Sequence, residues 1–145
     1  MIIRTEIDGK EIAFNTSLNW MYYYQFLHRE DPIDILRSIE KALENNGKPI
    51  KDTDGNETGE ILDLENKPLD LFGYITGTQM LDVLYCLAAN ADSEIQKKSA
   101  LKWYSEFEDF DAIKVFYQVL PDLMKSMVST KNLTTLSKIA KKVQK

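Results

Sequence analysis

Cysteine and histidine are almost absent: the 145 residues hold one of each, Cys86 and His28. A lone cysteine makes no internal disulfide, and one cysteine with one histidine falls short of a tetrahedral zinc set. Glycine and proline are sparse, at 6 and 4 residues, which excludes collagen-like and low-complexity chains. No apolar run approaches the roughly 20 residues that span a bilayer. The opening MIIRTEIDGKEIAF lacks the basic start and apolar stretch of a signal peptide. No glycine-rich loop is spaced to cradle a phosphate. Together these absences point to a folded protein of a reducing cytosol that needs no cofactor.

What is present is acidic charge, unevenly placed. The net charge is −5. Residues 123–145 hold six lysines and no acid, so residues 1–122 carry 12 positive and 23 negative charges, or −11. Such a body repels DNA and RNA, and the basic tail suits either solvent or an acidic partner.

The expected fold is mainly α (α+β): one compact helical domain, residues 1–145, of five or six helices with a short N-terminal β-hairpin. Residues 1–14 form the hairpin. Asp8-Gly9 is a favoured type I′ turn, and its register sets Ile7 against Lys10, Thr5 against Ile12 and Ile3 against Phe14. Ile3, Ile7, Ile12 and Phe14 then share one apolar face. A first helix follows a cap at Asn15, Thr16 or Ser17. Trp20, Met21, Tyr22, Tyr23, Tyr24, Phe26 and Leu27 leave it little polar surface, which predicts burial on several sides. Asp31-Pro32 opens a second helix with Ile35 or Leu36, Ile39 and Leu43 inward, and Gly47 ends it. Residues 46–74, rich in glycine and acids, read as a long mobile loop, with short strand pieces possible at EILDLE.

A third helix runs from Thr76 or Thr78 to about Ala91, with Met80, Leu84, Leu87, Ala88 and Ala91 as its stripe. Asp92 or Ser93 caps a fourth, which carries Trp103, Phe107 and Phe110 at helical spacing. Asp109 or Asp111 caps a fifth, where Ile113, Phe116, Tyr117, Leu120, Leu123 or Met124, and Met127 face one way. Pro121 inside it predicts a kink, with the Tyr117 carbonyl left without its donor. Asn132 opens a basic C-terminal helix or tail, residues 130–145, with Leu133, Leu136, Ala140 and Val143 on one side. Its terminal position and polar face predict that the body folds without it.

Three stretches invite a chemical reading. In ALKWYSEFEDFD (100–111), four acids stand among four aromatics, as a two-carboxylate hydrolase would require. Yet the aromatics follow a helix stripe, and Asp109 and Asp111 sit where a helix must be capped, so the acids need no catalytic role. In residues 52–63, Asp52, Asp54 and Asn56 match the first ligands of an EF-hand loop, followed by Thr58 and Glu60. Glu57 occupies the obligatory glycine position and Asp63 replaces the final glutamate, which favours a plain acidic turn. Cys86 and His28 are a conceivable nucleophile pair, but MLDVLYCLAANA surrounds the thiol with apolar residues. Tyrosines 22–24 lack the interleaved basic residues of a base-stacking surface.

The order of these features resembles the tail assembly chaperones of long-tailed phages of Gram-positive bacteria. The resemblance runs nearly the full length: a hairpin, an aromatic helix, the DPIDIL helix, an acidic loop, MLDVLYCLAANAD, then WYSEFEDFDAIKVFYQVLPDLMKSM and a lysine-rich tail. A tryptophan, a phenylalanine four later and a second phenylalanine precede the family's penultimate helix, here Trp103, Phe107 and Phe110. YYYQFLHRED is similar to a further family motif but lacks its glycine. The resemblance implies a non-enzymatic factor that binds and solubilises the tape-measure protein and helps recruit tail-tube subunits. It also implies work in the host cell cytoplasm and absence from the mature virion. A frameshifted longer form is common in that family.

The alternatives are a small cytosolic interaction or inhibitor module, and a metal-regulated protein or enzyme using the 52–63 loop. The candidate partner surface is Phe116, Leu120, Met124, Met127, Leu133 and Leu136 with Lys138, Lys141 and Lys142. The methionines suit a partner with varied side chains. A buried core stripe has the same spacing.

Overall fold

A computed structural model describes residues 1–145. The N-terminal strands β1 (Ile2–Ile7) and β2 (Lys10–Asn15) pair antiparallel in the expected register, Ile7 with Lys10, Thr5 with Ile12 and Ile3 with Phe14. Asp8 and Gly9 both have positive φ, 55° and 77°, as a type I′ turn requires. Ile7 and Phe14 are buried, while Ile3 and Ile12 at the rim of the same face are half-buried.

Helices α1 (Asn19–His28) and α2 (Ile33–Asn45) follow. Asp31 caps α2 by accepting the Ile33 amide at 2.9 Å. Both Ile35 and Leu36 are buried, with Ile39, Ala42 and Leu43. The all-round burial expected of α1 does not occur. Trp20 and Tyr24 are buried, but Tyr22, Phe26 and Leu27 face solvent. The helix lies against α3, and the side carrying Tyr22 and Phe26 is left facing solvent.

Residues 46–74 are more ordered than a loop. A second hairpin, β3 (Pro49–Lys51) with β4 (Glu57–Ile61), is joined to the end of α2. Gly47, at φ 85°, donates its amide to the Leu62 carbonyl at 2.7 Å, and the Leu62 amide returns to Lys48 at 3.0 Å. The Asn46 side chain accepts the Leu64 amide at 2.9 Å. A 3₁₀ helix (Pro68–Gly73) completes the segment. Leu62, Leu64, Leu71 and Ile75 anchor it in the core, spaced too irregularly to show a period.

Helix α3 (Gly77–Ala91) starts with a full capping box between Thr76 and Gln79. Every residue from Val83 to Ala89 is buried. β2, α1, α4, α5 and α6 all lie against it. The expected fourth helix is two short ones, α4 (Ser93–Gln96) and α5 (Ala100–Ser105). Ser99 restarts the helix by accepting the Lys102 amide at 3.1 Å. Residues 106–111 then turn back, so Phe107 and Phe110 reach Trp103 from a loop.

Asp111 caps α6 (Ala112–Met124), which continues through Pro121 for three residues. Leu120, Leu123 and Met124, all buried, hold that last turn in place. Ser129, not Asn132, caps α7 (Thr130–Gln144), and its hydroxyl accepts the Asn132 amide at 3.2 Å. The inward face of α7 is Asn132, Leu136, Ile139 and Ala140, lying against α6 and α2. Leu133 and Val143 are only half-buried. The basic tail is therefore part of the body. Thirty-two buried hydrophobic side chains, from Ile7 to Ile139, form one cluster.

Two outcomes follow for stability. Leu84→Ala, at a fully buried α3 position, should cost about 2–5 kcal/mol in denaturant unfolding, against about 0.5 kcal/mol or less for the exposed Leu101→Ala. Deleting residues 130–145 strips α6 of its cover, and the truncated chain should lose its cooperative thermal transition by circular dichroism.

Candidate functional site

The groups with chemical capacity meet where α1 crosses α3. His28 ends α1, and its Nδ1 lies 3.8 Å from Oδ2 of Asp82. The His28 ring rests 4.4 Å, centroid to centroid, from the ring of Tyr24. Its Nε2 is buried without a hydrogen-bond partner. Cys86 lies one turn beyond Asp82 on α3. Burial raises the Asp82 carboxyl above the usual carboxylate range; His28 opposes that rise and Glu30 adds to it. Burial first, then Asp82, pushes the Cys86 thiol up to about 12. Burial, then Asp82 and Glu30, pushes the Tyr24 hydroxyl up to about 12.

A nucleophile needs its thiolate and a way in for substrate. Cys86 has neither: it is fully buried, and burial pushes its thiol up to about 12, away from the thiolate form. Residues of the Cys-His-Asp type are neighbours here, held in the wrong protonation state for attack.

The stretch 100–111 is a packing cluster. The buried Trp103 ring meets Tyr104 at 4.8 Å, Phe107 at 5.3 Å and Phe110 at 5.8 Å. Among its acids, Glu106 pairs with Lys98 at 2.6 Å, and that hydrogen bond lowers its carboxyl pKa. Asp111 caps α6. The Glu108 amide donates to Asp8 at 3.1 Å, tying the loop to the first hairpin.

In residues 52–63, Asp52 turns inward on its own backbone, accepting the Asp54 and Asn56 amides at 2.9 Å each. Asp63 accepts from Asn66 at 2.7 Å, which lowers its carboxyl pKa. The carboxylates that calcium would need are oriented by a hairpin turn. No three His, Cys, Asp or Glu side chains converge anywhere on a point where a metal ion could sit. A polar cleft of about 660 Å³ beside this hairpin is lined by Lys41, Lys48 and Lys51 with Glu57 and Tyr74.

The C-terminal surface divides. Phe116, Leu120, Met124 and Leu136 are buried in the core, so a partner reaches them only by opening it. Met127 and Leu133 are half-buried, and Lys138, Lys141 and Lys142 are exposed. Lys142 is tethered, donating to the Asn66 side chain.

The large apolar residues that do meet solvent lie elsewhere. Leu18, Tyr22 and Phe26 are 69, 78 and 73% exposed. Their spacing of four places them in one row along α1. The aromatic content of α1 was visible in its sequence; which side would stay uncovered depended on where α3 lay. Comparison with protein-family models, curated proteins and solved structures finds no match for this chain.

Asp82 gives the site a pH signature. The folded chain holds its Asp82 proton to a higher pH than the unfolded chain does. Across that window the folded state binds more protons, so this group's contribution to stability is lost as pH rises through the raised pKa. Asp82→Asn should therefore melt higher than the parent at neutral pH, with the gap closing once Asp82 is protonated. Paired thermal melts from about pH 3 to pH 7 measure it.

Proposed function

We propose that this chain is a non-enzymatic assembly factor, a phage tail assembly chaperone that binds and solubilises the tape-measure protein and helps recruit tail-tube subunits in the host cytoplasm. The observation that carries the reading is the exposed row of Leu18, Tyr22 and Phe26 on an acidic body. A chaperone for apolar helices needs apolar surface held in water, with charge around it to keep the complex soluble. Support also comes from the order of elements: the hairpin, the aromatic α1, and the Trp103, Phe107 and Phe110 cluster ahead of α6 and the basic α7.

Magnitude suits the role. Three large side chains offer roughly 400 Å² of apolar surface, about 10 kcal/mol gross at 25 cal/mol per Å². Association costs about 4–15 kcal/mol, so net binding is weak. A factor that is displaced as tube subunits polymerise requires reversible contact of this order. Competition by the subunits provides the exchange.

Co-expression with the tape-measure protein of the same phage should keep that protein in the soluble fraction and copurify the two. A tape-measure protein that stays insoluble and never associates with the intact chain refutes the reading. An inhibitor module unrelated to phage would instead copurify with an enzyme and abolish its activity.

A further inference from the structure

The row on α1 is continuous with two depressions. At its N-terminal end, a cleft of about 780 Å³ opens between α1, the start of α2 and the end of α6. Met1, Leu18, Met21, Ile33, Leu123 and Met127 supply much of its wall. Three of the chain's five methionines are among them. At the other end, Tyr22 and Phe26 form a shallower cleft of about 400 Å³ with Gln25 and Arg29. Leu18 lines the first cleft, Tyr22 and Phe26 the second, and the three lie on one helix face. The result is an apolar track running the length of α1.

We infer that this track is a docking groove for a single amphipathic helix with an aliphatic face and basic flanks. The inference rests on the chaperone reading and names the surface and partner chemistry behind it. Helices present side chains at i, i+3, i+4 and i+7, the pattern that fills a groove with a ridge along one edge. Thioether side chains adapt to whatever aliphatic residues arrive, as a factor meeting successive segments of a long helix requires.

Two observations separate this occupant from a second copy of the chain. The exposed row supplies roughly 400 Å², about half of the 800 Å² that each partner buries in a standard stable interface. Residues 1–122, which supply three quarters of the groove's lining, hold a net charge of −11, and Asp122 borders the groove beside Lys125, with Arg29 at its far end. A second copy brings the same charge, whereas a helix flanked by lysine or arginine is attracted.

The test uses the intact protein and a synthetic peptide of about 15 residues, with leucine on one helical face and lysine elsewhere. Methyl NMR on the methionines carries its own controls. The Met21 and Met127 methyls should shift on titration, while Met80 and Met124, outside the groove, stay in place. Tyr22→Ser and Phe26→Ser alter exposed side chains and should leave the thermal melt unchanged. Each should weaken peptide binding, read by calorimetry, about tenfold. Leu101→Ser, equally exposed on α5, should not change it. A glutamate-flanked peptide with the same apolar face should bind at least about tenfold more weakly than the lysine form.

Unchanged affinity in both α1 variants, or equal binding of the two peptides, overturns the inference. So does sedimentation showing a wild-type dimer that Tyr22→Ser dissociates, because the groove then belongs to a second copy. If the peptide docks as expected but the tape-measure protein does not copurify, the groove stands and the phage reading falls. If the tape-measure protein copurifies equally with parent and α1 variants, the phage reading stands and the groove falls.

Discussion

The fold depends on one helix that must be covered from every direction. Seven successive residues of α3, Val83 to Ala89, are buried, so no side of that segment faces water. A helix apolar all round gains by burial only if partners arrive on each face. Here β2, α1, α4, α5 and α6 supply them. Ala88 and Ala89 add little bulk, so neighbouring elements can come close. The first hairpin, too small to stand alone, gains its anchor the same way. Asn90 near the end of α3 donates to the carbonyls of Asn15 and Ser17 at 3.0 and 3.3 Å.

Covering α3 also decides what becomes of the polar groups around it. Tyrosine hydroxyls are used as ties between elements. Tyr104 donates to the Leu81 carbonyl at 2.5 Å, Tyr117 to Pro68 at 2.6 Å, and Tyr85 to the Lys98 carbonyl at the break between α4 and α5. Burial raises the pKa of all three, so each stays a protonated donor. Asp82 and Cys86, on α3 itself, are pushed toward their neutral forms by the same burial. Burial therefore turns Asp82, Cys86 and the tyrosines toward structural roles. Outside the core, Leu18, Tyr22 and Phe26 form an exposed apolar row along α1.

That division gives the proposed chaperone role its physical basis. α1 has more apolar side chains than one contact with α3 can hide. Trp20 and Tyr24 take the buried places, and Leu18, Tyr22 and Phe26 are left outside. Leaving them exposed costs solubility, which the acidic charge of the body offsets by keeping copies apart. An apolar row on a body of that charge is well matched to a partner that is apolar along one face and basic beside it.

Local rules of short range were legible in the residues. Asp8-Gly9 determined the first hairpin and its register, because both residues take positive φ readily and a type I′ turn matches the strand twist. Thr76, Asp92 and Asp111 marked helix starts, because a side-chain oxygen there satisfies a free amide. The mainly helical class followed from such signals and from periodicity. Other features needed the third dimension. Ser99 could break the Trp103 helix because the loop after α5 folds Phe107 and Phe110 back onto the same ring. The second hairpin formed because Gly47 and Asn46 found backbone partners fifteen or more residues away. The stripes of α6 and α7 read equally well as core or as interface; their mutual packing put Phe116, Leu120, Met124 and Leu136 inside. For α1 the reverse held, since a helix apolar on every side does not itself say which side its neighbour will take. Sequence by itself determined where elements begin and how strongly each needs cover, since those are local free energies. Only the tertiary structure decided which faces were covered, because burial is a property of two surfaces in contact and each sequence segment describes one.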